Sequence, residues 1–340
     1  MRLPPPSFLH LRRLTDDVGL FEHADHIEPR RDGGYCVDDV ARALVVVCRE
    51  PRPTTDPHLA GLAELYLAFL LEAQGPDGRF RNRLGLDGQW QDAPTVEDCW
   101  GRALWGLGAA VASGLPAKQR DRAREAFWRG AAWRSPYSRS MAFAALGAAE
   151  MLRARPDDAI ARKLLDDAAE RIGRPRSPGP WLWPEGRLRY ANAALPEVLI
   201  AAGAALDDPR HLADGLTLLE WLFAVESRDG HVSVTPVAGR GPGELSAGFD
   251  QQPIEVAALA DAFARAFAVT GEPRWARAVE LAAGWFLGVN DSRLVMYDVA
   301  TGGGCDGLER ASRNENQGAE STLAALSTMQ VAQRLQVFAR

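Results

Sequence analysis

Lysine is almost missing from this chain: Lys118 and Lys163 stand among 39 basic residues. A GC-rich genome explains that bias, so no function is assigned to it. Cysteine is scarce as well, with Cys36, Cys48, Cys99 and Cys305 the only 4 in 340 residues and no C-x-x-C spacing. This excludes a disulfide scaffold and the common zinc modules, and free thiols in a reducing compartment are expected. No apolar run is long and uninterrupted enough to cross a membrane. No apolar stretch follows Met1-Arg2-Leu3-Pro4-Pro5-Pro6, so no secretion signal is read there. A soluble, cytoplasmic protein is expected. Excess positive charge is also absent. The net charge is −6 and the pI about 5.6, which argues against nucleic acid or an anionic membrane as partner.

Several catalytic signatures are missing too. There is no nucleophile-elbow motif for Ser/His/Asp chemistry. Gly302-Gly303-Gly304 follows no strand–helix unit, so no dinucleotide cofactor is expected. His23-Ala24-Asp25-His26 offers two imidazoles in a loop without a clear third ligand, so no metal is expected. Asp38-Asp39-Val40-Ala41-Arg42 is not the DDxxD of a terpene synthase. No cofactor is expected.

What is present is helix. β-branched residues form no long alternating runs, and apolar residues recur at helical spacing. Two interleaved sets of six helices can be read. The amphipathic set covers about 7–15, 59–73, 116–133, 157–172, 209–225 and 273–287. The other set is Ala-rich and apolar nearly all round, starting near 38, 98, 138, 192, 251 and 317, which marks buried helices. Pro51 and Pro53 end the first of these. The stretch 16–34 reads as a polar loop. Hairpin-like turns are expected at 74–90, around 227–232 and from 290. Helix pairs repeating every 40–65 residues mean a solenoid or a closed array, and neither end looks like a polar cap. The expected fold is an all-α, single-domain (α/α)6 toroid spanning 1–340, with short β-hairpin loops at one face.

Each buried helix carries its polar residues at its N-terminal mouth. Asp38-Asp39…Arg42 and Asp98…Arg102 pair acid and arginine four apart, on one helix face. Ser135-Pro136-Tyr137-Ser138 reads as a cap for the third inner helix. A toroid brings together Asp38, Asp39, Glu97, Asp98, Asn192, Asp250, Gln251, Glu255, Asn316, Gln317 and Glu320. Any one of these acids serves equally well as a helix cap, and Asp39 and Glu255 are the most cap-like. Aromatic residues stand close by in the chain: Tyr35, Trp90, Trp100, Tyr190 and Phe249, with Trp181 and Trp183 as further candidates. Acids and amides hydrogen-bond sugar hydroxyls, rings stack on the C–H face of a pyranose, and paired carboxylates cleave a glycosidic bond.

Tyr35-Cys36-Val37-Asp38-Asp39-Val40-Ala41-Arg42-Ala43-Leu44, Glu97-Asp98-Cys99-Trp100-Gly101-Arg102-Ala103-Leu104-Trp105, Phe249-Asp250-Gln251-Gln252-Pro253-Ile254-Glu255 and Asn316-Gln317-Gly318-Ala319-Glu320-Ser321-Thr322-Leu323 resemble a bacterial family of (α/α)6 six-hairpin proteins. Members are described loosely as glycosyltransferases or as glycosidase-like, and occur beside or fused to glycosyltransferases and mannoside phosphorylases. The resemblance covers nearly the whole chain and implies the toroid, carbohydrate chemistry and a possible glycosyltransferase partner. The chain departs from the pattern at Cys99-Trp100, Ala191 and Ala194, while Val37 and Val40 flank Asp38-Asp39, all of which make the pocket drier.

The leading expectation is a glycoside-cleaving enzyme, most readily a hydrolase of an oligosaccharide or glycoconjugate. Asp98 and Asp250 form the expected acid/base pair, with Asp38 or Asp39 as alternatives; a buried carboxyl beside Trp100 would suit the acid role. Tyr35, Arg42, Trp90, Glu97, Trp100, Arg102, Tyr190, Asn192, Gln251, Gln252, Glu255, Asp306, Asn316, Gln317 and Glu320 are the expected substrate contacts. The alternatives are a sugar epimerase or isomerase, which would draw on His23, His26 or His231, a non-catalytic sugar-binding subunit, and a toroid turned to an apolar substrate.

Overall fold

The computed structural model describes residues 3–51, 55–176, 179–244 and 246–338. Met1, Arg2 and the helix-ending role read for Pro53 lie outside the described residues. The elements run α1 (Leu9–Arg13), β1 (Phe21–Asp25), β2 (Glu28–Cys36), α2 (Val37–Cys48), α3 (Pro57–Ala73), β3 (Arg83–Leu84), α4 (Asp98–Val111), α5 (Ala117–Gly130), α6 (Ser138–Ala154) and α7 (Ala159–Ile172). They continue with α8 (Ala194–Ala205), α9 (Pro209–Val225), β4 (Ser227–Arg228), β5 (His231–Val232), α10 (Pro253–Thr270), α11 (Pro273–Phe286), β6 (Gly307–Leu308), β7 (Arg313–Asn314) and α12 (Ala319–Phe338).

Helices α2, α4, α6, α8, α10 and α12 each pack against the next, and α12 returns to α2, so the inner ring closes. α3, α5, α7, α9 and α11 lie outside it. This is the (α/α)6 toroid, with small antiparallel hairpins at the N-terminal ends of the inner helices. No helix among the described residues is long and apolar enough to cross a membrane.

The two rings are specified differently. Three outer helices carry local start signals: the side chains of Asp56, Asp158 and Asp208 accept from backbone N–H groups at the starts of α3, α7 and α9. Pro57 and Pro209 then occupy first-turn positions where no N–H is needed. Inner helices α2, α4, α6, α8 and α10 have no side-chain cap at all. They exist because their all-round apolar surfaces are buried, and their open N-terminal turns face the mouth of the ring.

Three local expectations change. The first outer helix is a five-residue turn, Leu9–Arg13, rather than a full amphipathic helix. The stretch 16–34, expected as a loop, holds the β1–β2 hairpin, turning at His26 with φ 52°. Most of β2 is exposed, so it lacks the alternation that would betray a half-buried strand. Ser135 to Ser138 do not cap α6: Tyr137 is its N-cap residue and makes no side-chain cap bond.

Candidate active site

A cavity of about 720 Å³ opens between the mouths of α2, α4, α6 and the segment before α8. Asp38, Glu97, Asp98 and Tyr190 line it, joined by Asn82, Asp92, Tyr137, Arg139, Ser140, Glu185 and Arg189. The second group is absent from the sequence-based expectation. Arg139 is the one whose signal was available, as an arginine in the first turn of an otherwise apolar helix. Asn82 and Glu185 arrive from loops whose paths no pattern encodes.

The first-turn acids are tied across the ring as well as within their own helices. Arg102 Nη1 stands 3.1 Å from Asp38 Oδ1 and its Nη2 3.7 Å from Asp98 Oδ2, so one guanidinium bridges α2 and α4. Asn82 Nδ2 donates to Asp38 Oδ2 at 3.2 Å. Burial pushes the Asp38 carboxyl up, but the charges of Arg102 and Arg42 outweigh it and hold the group below the usual carboxylate range. Asp98 accepts from Ser140 Oγ at 2.7 Å and from the Tyr190 hydroxyl at 2.8 Å, one donor on each oxygen. Tyr190 is raised by burial and by the Asp98 charge, so it stays a donor, and its ring lies 5.3 Å from the Arg139 guanidinium. Arg139 holds both oxygens of Glu185 at 2.7 Å and reaches Asn192 Oδ1 at 3.0 Å.

Behind this cavity, on the ring axis, Arg42 pairs with Asp39 and Glu320, each at 2.6 Å. The Asp39–Arg42 pair therefore uses three-residue spacing, not the four expected from Asp38. Burial pushes Asp39 up to about 6 against the pull of Arg42. The axial cavity bounded by Arg42, Glu320, Trp105, Phe143 and Ile254 measures about 50 Å³. That is room for water but not for a substrate on the ring axis.

Other expected site residues are engaged elsewhere. Asp250 is exposed and does not line the cavity, so Asp98 and Asp250 are not brought together as a pair. Gln252, the N-cap residue of α10, stands outside it too. Trp100 is wholly buried with its indole N–H on Gly130 O, turned toward the outer ring, so it gives Asp98 no apolar wall. Tyr35 is buried on Phe21 with its hydroxyl on Asp16, and Trp90 packs edge-on against Phe69. Trp181 and Trp183 both pack on Trp221 of the outer ring. The Phe249 ring lies 5.1 Å from the Arg310 guanidinium. Gln251 is buried against Asp291 and Trp285. Asn316 and Gln317 anchor the β1–β2 turn through His26, and Asp306 accepts from Gly318 N.

Asp39 and Glu255, read as the most cap-like acids, cap nothing. Glu255 reaches over to α8 and accepts from the backbone N–H groups of Ala191 and Asn192. Ala191 is left-handed, φ 46°, so this contact holds a strained residue in place. Burial first, and then the Glu226 charge, push the Glu255 carboxyl up to about 8. An unfolded chain releases that proton near pH 4.3. The native state binds it more tightly, so the stabilisation is complete below about pH 4 and is lost as pH rises through about 8. Urea unfolding at about pH 6 and about pH 9 should show wild type weakening at the higher pH, and Glu255→Gln weakening distinctly less. Equal losses in both proteins would contradict this account of Glu255.

No protein-family model and no curated protein matches the chain by sequence. Solved structures do match by shape. A D-mannose isomerase superposes with a TM-score of 0.72 at 12% identity, covering 96% of this chain and 94% of its own. A cellobiose 2-epimerase from Bacillus thermoamylovorans gives 0.71 at 12% identity, over 97% and 96%. An α-1,6-mannanase from Salegentibacter sp. gives 0.66 at 10% identity, over 96% of each chain. At these identities the likeness establishes the architecture: the chain folds as the same toroid as these three enzymes.

Proposed function

We propose that this protein is a carbohydrate-active enzyme that cleaves a glycosidic bond by paired-carboxylate chemistry. The carrying observation is that Asp38 and Asp98, from two separate inner helices, line one cavity and share one guanidinium. General acid/base cleavage needs two carboxylates at the scissile bond, and the shared guanidinium fixes Asp98 beside the cavity where one of them is needed. Structures of the same fold support a sugar substrate, among them a mannanase described as inactive when two adjacent aspartates are replaced and captured with α-1,6-mannotriose. This chain has two adjacent-acid pairs at its mouths, and Glu97-Asp98 is the one whose members both line the cavity.

Epimerase or isomerase chemistry is supported less well. Proton transfer beside a carbonyl calls for a base that titrates near neutral pH, for which imidazole is suited. No histidine lines this cavity among the described residues. His23 is on β1, His26 in the hairpin turn, and His231 is bonded to Asp291.

Two half-open rings give the cavity its sugar-stacking face: Tyr137 is 55% exposed and Tyr190 39%. Tyr190 is committed to Asp98, which leaves Tyr137 as the platform. Tyr137→Ala should raise KM by roughly fivefold to tenfold with kcat unchanged, while Tyr137→Phe stays near wild type. Steady-state kinetics on the cleaved substrate checks this, and an unchanged KM would remove Tyr137 from the site.

The test of the function is product release from manno- and gluco-oligosaccharides, with wild type beside Asp98→Asn and with sugar configuration monitored. Cleavage by wild type, lost in the variant, is the expected result. Altered configuration without cleavage would move the reading to an epimerase, and binding alone to a non-catalytic subunit. No binding to any sugar would end the carbohydrate reading.

A further inference from the structure

The carboxylates around the cavity are not equivalent, and the difference separates their roles. Asp38 is held by Arg102 and Asn82. Asp92 accepts from the backbone N–H groups of Asn82 at 2.7 Å and Arg83 at 2.9 Å, one on each oxygen. Asp98 accepts two hydroxyl donors, and Glu185 is clamped by Arg139. Asp38, Asp92 and Glu185 each face donors that cannot become acceptors, and Asp98 is oriented by two hydroxyls. Glu97 is the exception. It is the N-cap residue of α4, yet its side chain makes no cap bond and no ion pair among the described residues. It is exposed, lines the cavity and immediately precedes Asp98.

We infer that Glu97 is the general acid of the glycoside cleavage proposed above, with Asp98 as its ionised partner; the assignment rests on that reading. Glu97 gives its proton to the glycosidic oxygen, which leaves as an alcohol, keeping the electron pair of the broken C–O bond. The anomeric carbon takes the hydroxyl of a water, whose proton passes to Asp98 and then to solvent. Glu97 regains a proton from solvent. Each oxygen of Asp98 retains a second acceptor site, so its two hydrogen bonds orient it without blocking it.

A good leaving group needs no proton, and this gives the test. Wild type and Glu97→Gln are compared on the oligosaccharide found to be cleaved and on the dinitrophenyl glycoside of the same sugar. Glu97 is exposed, so the variant should fold, and thermal unfolding checks that it does. The expected result is a loss of about 10²–10⁴-fold in kcat/KM on the oligosaccharide, less than about tenfold on the aryl glycoside, and loss of the alkaline limb of the pH–rate profile. Equal losses on both substrates, or no loss on either, would overturn the assignment while leaving the glycosidase reading standing. Wild-type protein that cleaves neither substrate would overturn both.

Discussion

Under the proposed glycoside cleavage, replacing Asp98 by asparagine is expected to lower kcat/KM by about 10²–10⁴-fold on every substrate, activated or not. The variant removes a charge and a proton acceptor but almost no shape. Asparagine keeps one carbonyl oxygen for Ser140 or Tyr190, and the other hydroxyl rotates to accept from the new amide. Arg102 loses a carboxylate 3.7 Å away but retains Asp38 at 3.1 Å, so it is not stranded as a buried charge. Folding stability should therefore change by no more than about 1 kcal/mol, which urea unfolding can verify. The loss should be indifferent to the leaving group, unlike that of Glu97→Gln, because the proposed cleavage puts Asp98 on the water side. Activity within about threefold of wild type, on a folded variant, would remove Asp98 from the mechanism.

Gly108→Ala should cost about 3 kcal/mol or more of stability. Helices α4 and α6 meet backbone to backbone. A Cβ added at Gly108 would lie 2.1 Å from Gly147 O, one at Gly147 would lie 2.2 Å from Leu104 O, and one at Gly101 would lie 2.2 Å from Ser140 O. Gly101 and Gly108 are seven apart on α4, hence on one face, and carbonyl oxygens cannot rotate away as a side chain would. Relief requires moving a whole helix, which loosens every contact along the pair. Gly61→Ala is the control. It lies in outer helix α3 with nothing within 4 Å of the new Cβ, so it should stabilise by about 0.5–1 kcal/mol through helix propensity. Urea midpoints that moved equally in the two variants would show that the close approach of α4 and α6 carries no energy.

The helices were legible because burial writes itself into composition. The inner set was expected to begin near 38, 98, 138, 192, 251 and 317, and it begins at Val37, Asp98, Ser138, Ala194, Pro253 and Ala319. What misled was the assumption that every polar mouth opens on one central point. The axis is closed by Arg42 with Asp39 and Glu320, and the space lies to one side, over α2, α4 and α6. Asp250, expected as the partner of Asp98, does not line the cavity that Asp38 and Asp98 share, and the helix it precedes, α10, packs on the opposite side of the ring from α4. Aromatic residues misled for a related reason. Trp100 and Tyr35 flank mouth acids in the chain, but neighbours on a helix or strand point in different directions, and both rings turn into the packing between layers.

Local sequence by itself determined the twelve helical segments, their alternation of amphipathic and apolar faces, and hence the closed double ring. Those follow from periodicity and burial, which each segment expresses without its neighbours. It also placed Asp38, Glu97 and Asp98 at helix mouths. Only the tertiary structure decided what those acids do there. Whether a carboxylate is clamped by Arg102, oriented by Ser140 and Tyr190, or left free as at Glu97 depends on side chains contributed by other helices and loops. Asp98 takes its two donors from 42 and 92 residues away, Asp38 its Asn82 bond from 44. Pairings over such separations are set by how the rings pack, because a hydrogen bond needs an exact approach of two groups that no one-dimensional period encodes.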